Sequence, residues 1–257
     1  MSRFFFPLLA LLTCSGFADK RMTREYLASV RGIDRNVGRV LKTIDDLDLR
    51  DDTFVVYSSD HGYSMGHNGI WHKGNGHWTL IKEALPPATT NVPRGQRPNM
   101  WDNSPRVPTA IRWPGVVKHG TVIKRTISFL DWFPTLVSLA NRKLPENPLV
   151  RGHNFLPLLR GEKVEWDDDF YGEYSTKHQS HTHLRCLCTP QWKLIRDFLN
   201  PERDEFYDLV NNPEETTNLI TSKDSKHQAI VKQLHAKIIV RMKQNNDPAL
   251  KLAQGRK

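Results

Sequence analysis

The residues 55–58, Val-Val-Tyr-Ser, run straight into Ser59-Asp60-His61-Gly62. A carboxylate beside a neutral imidazole offers donors that suit a divalent cation, and with further carboxylates the set suits Ca²⁺ or Mg²⁺. If residues 53–58 form a buried strand, Asp60 and His61 fall at its carboxyl end, where ligands gather in open α/β sheets. The plainer alternative makes Asp60 the cap of a turn and His61 a satisfied loop residue. An isolated Asp-His-Gly favours that alternative, because such short matches often arise by accident.

The triplet has company downstream. Gly69-Ile70-Trp71-His72-Lys73 follows, and then Arg106-Val107-Pro108 leads into Ile111-Arg112-Trp113-Pro114-Gly115. Leu130-Asp131-Trp132-Phe133-Pro134-Thr135 comes next, and Phe206-Tyr207-Asp208-Leu209 closes on Asn212-Pro213 and Glu215. In this order, from about Tyr26 to Ile220, the blocks resemble the sulfatase family of the alkaline-phosphatase-like superfamily. The family pattern is Ser-Asp-His-Gly, a glycine-rich loop, Gly-Leu-Trp-x-Lys and Arg-Val-Pro-x-x-x-Arg-Trp-Pro-Gly. The resemblance implies a sulfuric-ester hydrolase in which Asp60 and His61 ligate Ca²⁺ and Lys73 grips the sulfate. Cationic groups on the non-bridging oxygens are what sulfuryl transfer requires. Asn68 departs from the pattern, since many relatives carry histidine there.

The family's nucleophile is a formylglycine made from Cys-x-Pro-Ser-Arg or a related motif, preceded by paired Asp ligands, upstream of the Ser-Asp-His-Gly block. No such motif stands upstream of Asp60. Cys188-Thr189-Pro190-Gln191 lacks its Ser and Arg and reads as a turn. Ser138-Leu139-Ala140-Asn141-Arg142 fits the serine form letter for letter, but it lies downstream of Asp60 and reads as the end of a helix. The chain therefore reads as the downstream half of a sulfatase, catalytically incomplete, with Ca²⁺ held weakly because affinity follows ligand charge and count. A separate chain supplying the missing N-terminal half is an expected partner, beside a sulfated small molecule or glycan. Two other readings compete: a non-catalytic remnant that binds sulfated glycan, and a phosphodiesterase or phosphatase of the same superfamily. Gly-Ile-Trp-x-Lys and Arg-Val-Pro favour the sulfatase over the latter.

Other clusters carry weaker signals. His178-Gln179-Ser180-His181-Thr182-His183 lacks the fourth ligand and the spacing of a zinc site. It reads as a loop in which His178 and His183 line a substrate cleft. Asp167-Asp168-Asp169 reads as a solvated acidic turn, and Cys186 and Cys188 as free thiols, because a bridge across one residue is strained.

The elements that must position these residues are legible in outline. Met1-Ser2-Arg3, an apolar run from Phe4 to Leu12 and Gly16-Phe17-Ala18 make residues 1–18 a signal peptide, which points to a secreted or periplasmic protein. Residues 19–160 read as the downstream part of an α/β domain with an incomplete sheet. Residues 161–257 read as a small antiparallel α+β subdomain with a basic final helix. An amphipathic helix with Thr23 as N-cap carries Tyr26, Val30, Ile33, Val37, Val40, Ile44 and Leu47 on one face, expected to pack on residues 53–58. Further strands are expected at residues 107–113, 170–175, 192–198 and 205–209, a helix capped by Asp131, and a final helix at about residues 225–242. The net charge of +9 sits almost wholly in the last 35 residues, where nine Lys/Arg face Asp224 and Asp247. A basic helix explains that better than a nucleic-acid surface. Past the leader, no apolar run approaches the ~20 residues of a membrane span.

Overall fold

The computed structural model describes residues 20–77, 79–80, 88–146 and 150–253. The leader, residues 1–18, and its cleavage site lie outside them. The fold is α/β, with a small antiparallel sheet in the C-terminal region. No helix among the described residues is long and apolar enough to cross a membrane.

Helix α1 (Lys20–Asp46) begins ahead of Thr23, which therefore lies within it instead of capping it. Its apolar stripe forms as the spacing dictates, yet none of its residues is buried. The expected packing on residues 53–58 is thereby corrected. Strand β1 (Val55–Tyr57) is itself half exposed, and pairs antiparallel with β4 (Ala110–Arg112) through Val56 and Ile111. Helix α1 meets the rest near its ends: Tyr26 stacks on Tyr63 at 5.8 Å, and Asp45 accepts from Arg112 at 3.0 Å. Amphipathic spacing fixes which face is apolar but does not say what covers it.

Behind β4, Phe155, Leu156 and Leu159 form a core with Phe54, Trp113 and Trp132 packed on it. Helix α2 (Trp132–Leu139) is entered through a capping box in which Ser128 is the cap and Asp131 the third residue. Asp131 holds the N-cap position of α2, as expected, but its side chain bonds none of that helix's N–H groups and serves the preceding turn instead. Buried, it accepts from the Ser128 and His153 N–H groups at 2.6 and 2.7 Å and so joins two segments. A short helix α3 (Leu156–Leu159) completes this part.

The C-terminal sheet runs β5 (Phe170–Lys177), β6 (His181–Cys188), β7 (Trp192–Asp197) and β8 (Glu205–Asp208), all antiparallel. Strand β6 replaces the expected loop at His181 to His183. Its sequence hides the strand because both faces are covered and Arg185 occupies an interior position, neutralised by Asp247. On one face Leu187, Leu194 and Phe206 pack against Leu234, Ile238 and Met242. These three recur every fourth residue of α4 (Ser225–Gln244), so they form a single stripe. The chain continues into a short helix α5 (Leu250–Ala253). The other sheet face, with Leu184, Cys186, Ile195 and Tyr207, packs on Ile70, Met100 and Trp101. That contact ties the sheet to the loops carrying the candidate site.

The acidic turn is paired, which corrects its reading as solvated. Asp167 takes Arg241 at 3.0 Å, Asp168 takes Arg125 at 2.6 Å, and Asp169 takes Lys237 at 2.7 Å. Part of the basic charge of α4 is thus answered within the molecule.

Candidate functional site

Past β1 the chain loses its partner strand and turns. The Ser59 hydroxyl donates to the His61 carbonyl at 2.9 Å, and His61 Nδ1 lies 2.7 Å from the Gly62 carbonyl. A carbonyl only accepts, so Nδ1 carries the ring proton and Nε2 presents its lone pair. That Nε2 lies 3.7 Å from Asp60 Oδ2, and the Asp60 side chain is 86% exposed. Gly62 then donates to the Ser104 carbonyl at 2.7 Å, and a Cβ there would stand 2.2 Å from the Asn103 carbonyl oxygen. Only glycine lets residues 102–106 lie this close behind His61.

A tight hairpin follows. Strands β2 (Ser64–Met65) and β3 (Trp71–His72) pair Ser64 with His72 and Met65 with Trp71. The connection turns at Gly66 (φ 89°), Asn68 (φ 51°) and Gly69 (φ 72°). Asparagine tolerates that left-handed region better than most residues, which accounts for Asn68 structurally. Because Ser64 faces His72, the next residue pair outward is Tyr63 and Lys73. The hairpin thus carries Lys73 back to the level of Tyr63, two residues beyond His61. Lys73 is exposed and forms no ion pair with any described residue.

The loop after Lys73 is also built to one shape. Gly76 N–H closes a turn on the Lys73 carbonyl at 3.0 Å, and Arg97 N–H donates to Gly76 at 2.8 Å. His72 Nδ1 lies 2.9 Å from Asn75 Oδ1. His77, just past the turn, stacks on His178 with ring centroids 6.1 Å apart. The structure therefore brings His178 to the Lys73 loop. His183 lies elsewhere: its Nδ1 is 2.9 Å from Ser175 Oγ, and it borders a separate hollow of about 350 Å³ with Lys177, His181 and Leu199.

A cleft of about 620 Å³ opens beside His61, lined among others by Tyr26, Tyr57, Tyr63, Asn103, Arg106 and Glu215. Its wall is held by a charge cluster not anticipated from the sequence. Lys193, 1% exposed, donates to Asp102 and, at 2.7 Å, to Glu215, whose other oxygen takes the Asp102 N–H at 2.6 Å. Burial pushes the Lys193 ammonium down, but the Glu215 and Asp102 carboxylates hold it above its ordinary value. Glu215 is pushed up by its own burial against the pull of Lys193. Lys193 has two carboxylates to Glu215's single ammonium, so the lysine keeps its proton. The signal was present in part: Glu215 belongs to the closing Asn-Pro-x-Glu block, but nothing in a one-dimensional pattern pairs it with Lys193. Arg97, bonded to Glu205, anchors the same segment beneath Trp101, whose indole N–H donates to Glu205 at 2.7 Å.

Ser138 lies on α2, and its Oγ accepts from the Asn154 amide at 3.0 Å. Cys186 and Cys188 are free thiols. Burial raises both, Cys188 to about 11, so neither is an ionised nucleophile at neutral pH.

In chemistry the Asp60–His61 pair fits a hard divalent cation, and 3.7 Å is short enough for one ion to reach both donors. In number it does not fill a site, since no group of three or more His, Cys, Asp or Glu gathers for a metal among the described residues.

Comparison with known proteins follows the same outline. A family model described as Sulfatase matches residues 11–142, and one described as N-sulphoglucosamine sulphohydrolase, C-terminal, matches residues 96–244. Mouse (Mus musculus) steryl-sulfatase is 33% identical over 159 residues, 62% of this chain and 24% of its own length. The N-acetylglucosamine-6-O-sulfatase of Bacteroides thetaiotaomicron is 26% identical over 232 residues, 88% of this chain and 37% of its own. A protein solved in complex with its substrate D-glucosamine-2-N,6-O-disulfate superposes with a TM-score of 0.67 at 26% identity, over 88% of this chain and 42% of that one. The chain spans less than half the length of each.

Proposed function

Because the chain belongs to the sulfatase family, a family of sulfuric-ester hydrolases, we propose that it carries one half of a sulfate-ester site. In this reading Lys73 holds the sulfate, and Asp60 and His61 are this chain's share of a divalent-metal site, for Ca²⁺ or Mg²⁺. The observation that carries it is the His61 tautomer. The bond to Gly62 leaves Nε2 free on the side of Asp60, while the β2–β3 hairpin returns Lys73 toward the same end. The Lys73 ammonium, which meets no carboxylate among the described residues, is available to neutralise a non-bridging sulfate oxygen. A bound cation there would draw further charge from the same oxygens.

The substrate belongs to the sulfated glycans or small sulfate esters; the matches named for glucosamine chemistry support the glycan side. Residues 19–160 form the α/β part and residues 161–257 the C-terminal subdomain. The leader directs the protein to a secreted or periplasmic location, and a separate chain completes the site. Removing a nucleophile removes the covalent route, and the remaining electrostatics recover little of the rate. The 257-residue chain is therefore catalytically silent alone.

The test is 4-nitrophenyl sulfate turnover by the purified chain, with Ca²⁺, after coexpression with both formylglycine maturation systems. No turnover is expected. Turnover abolished by Ser138→Ala would place the nucleophile on α2 and overturn the half-site reading. Calorimetry with Ca²⁺ should show weak binding that disappears in Asp60→Asn and in His61→Ala. Binding that survives both would remove these residues from the metal site.

A further inference from the structure

Helix α1 and strand β1 both have the composition of core elements, and both stand largely uncovered. Tyr26, Val30, Ile33, Val37, Val40, Ile44 and Leu47 follow one another at steps of four and three. Leu27 and Leu41 each follow the second member of a pair and add a third apolar position to two of the heptads. A seam of two positions per heptad fits one partner helix, whereas three fit the broad face of a globular layer. Yet no residue of α1 is buried, and Leu27, Val30, Ile33, Val40 and Leu47 are 41–62% exposed.

Strand β1 is uncovered in its own way. Phe54, Val55, Val56 and Tyr57 form an unbroken apolar run between Asp51-Asp52 and Ser59-Asp60. A run without alternation belongs to a strand covered on both faces and flanked by further strands. Here β1 pairs with β4 alone, in a ladder of three residue pairs. Successive side chains of a strand point to opposite faces, and the successive residues Val56 and Tyr57 are 39% and 41% exposed. Neither face is therefore closed. A two-stranded ladder this short is marginal until more strands or a covering layer join it. The two uncovered elements also meet: Tyr26, Val30 and Ile33 of α1 and Tyr57 of β1 line the cleft beside His61.

We propose that the α1 stripe and β1 together form one docking surface for a separate α/β polypeptide, which lays an apolar face on α1 and adds a strand to the open edge of β1. The proposal rests on the half-site reading, in which a separate chain completes the site, and goes further by naming the surface and the kind of contact. Main-chain bonds along β1 set the register, and the stripe supplies the apolar area. A second copy paired helix to helix would use the two-position seam and leave Leu27, Leu41 and the edge of β1 open. The matched relatives hold more than half of their length outside the aligned region, which is enough chain for a strand-bearing layer. A partner seated on this surface also closes the cleft beside His61, because Tyr26, Val30, Ile33 and Tyr57 belong to both.

The experiment coexpresses the full chain with a probe polypeptide: the part of the Bacteroides thetaiotaomicron N-acetylglucosamine-6-O-sulfatase on the N-terminal side of its aligned region. The two should copurify one to one, and hydrogen exchange should slow along α1 and β1 relative to the chain alone. Ile33→Asp and Val40→Asp, both on the exposed stripe, should each weaken the complex about tenfold. Arg35→Asp, on the opposite face of α1, should leave it unchanged. Circular dichroism of each variant alone should match that of the unsubstituted chain, since all three positions are exposed. Absence of a complex, a complex that survives the Ile33→Asp, Val40→Asp double variant, or exchange along α1 and β1 that stays as fast as before would each overturn the proposal. A chain that sediments alone as a dimer and becomes a monomer in Val40→Asp would overturn it too, by giving the stripe to a second copy. Turnover of 4-nitrophenyl sulfate by the complex, after coexpression with the formylglycine maturation systems and with Lys73→Ala as control, separates the two levels of the argument. A stripe-dependent complex without turnover sinks the half-site reading and leaves the docking surface standing. Turnover that is indifferent to the stripe variants sinks the docking surface alone.

Discussion

Lys193 and Lys73 stand on opposite sides of the contact between the sheet and the site loops, and their surroundings differ in kind. Lys193 is 1% exposed and is bound to Glu215 and Asp102. Arg185 with Asp247, and Arg97 with Glu205, repeat the arrangement within the same sheet and its covering loops. Lys73 is exposed and meets no carboxylate among the described residues; of its neighbours His178 is exposed and His77 half-buried. A buried charge must be paired or it destabilises the fold, so the charges of the sheet are spent on structure. An exposed cation with no partner keeps its interaction for something outside the chain. The difference separates residues that hold the site from residues that can act in it.

That contrast can be broken or sharpened by substitution. The largest effect is expected at Lys193→Met, which strands Glu215 as an unpaired buried carboxylate; loss of about 3–5 kcal/mol should appear as a lower midpoint in urea unfolding. Next comes Gly76→Ala. Its φ of 57° and the 1.9 Å approach to the Arg97 carbonyl should together cost about 1–3 kcal/mol by the same measurement, and should shift the His77 NMR signals. Lys237→Ala and Arg241→Ala break half-exposed pairs with Asp169 and Asp167. Each should cost about 0.2–1 kcal/mol, and the loss should fade in high salt. The smallest effect is expected at Lys73→Met, within about 0.5 kcal/mol in unfolding, although sulfate binding is lost. A large stability loss at Lys73 would erase the distinction between the two lysines.

Much of the architecture was legible because it rests on local chemistry. The α1 stripe follows from the spacing of its apolar residues, and the strands at β5, β7 and β8 from β-branched and aromatic runs between turn residues. Strand β6 was not legible. Arg185 and the histidines interrupt its apolar pattern, and only Asp247, far along the chain, makes an arginine acceptable inside. Asp131 looked like a helix cap from its position alone, and its second partner, His153 N–H, comes from another segment.

The sequence by itself determined the family, through ordered blocks whose residue types are demanded by the chemistry at fixed positions, and it named Asp60, His61 and Lys73 as the residues to watch. Tertiary structure alone decided three other things. It covers the α4 stripe and leaves that of α1 exposed, pairs Lys193 with Glu215, and brings His178 to His77 while sending His183 elsewhere. The physical reason is one of range. Spacing along the chain sets which side chains share a face, whereas pairing, burial and the stacking of rings a hundred residues apart depend on which faces the folded backbone presses together.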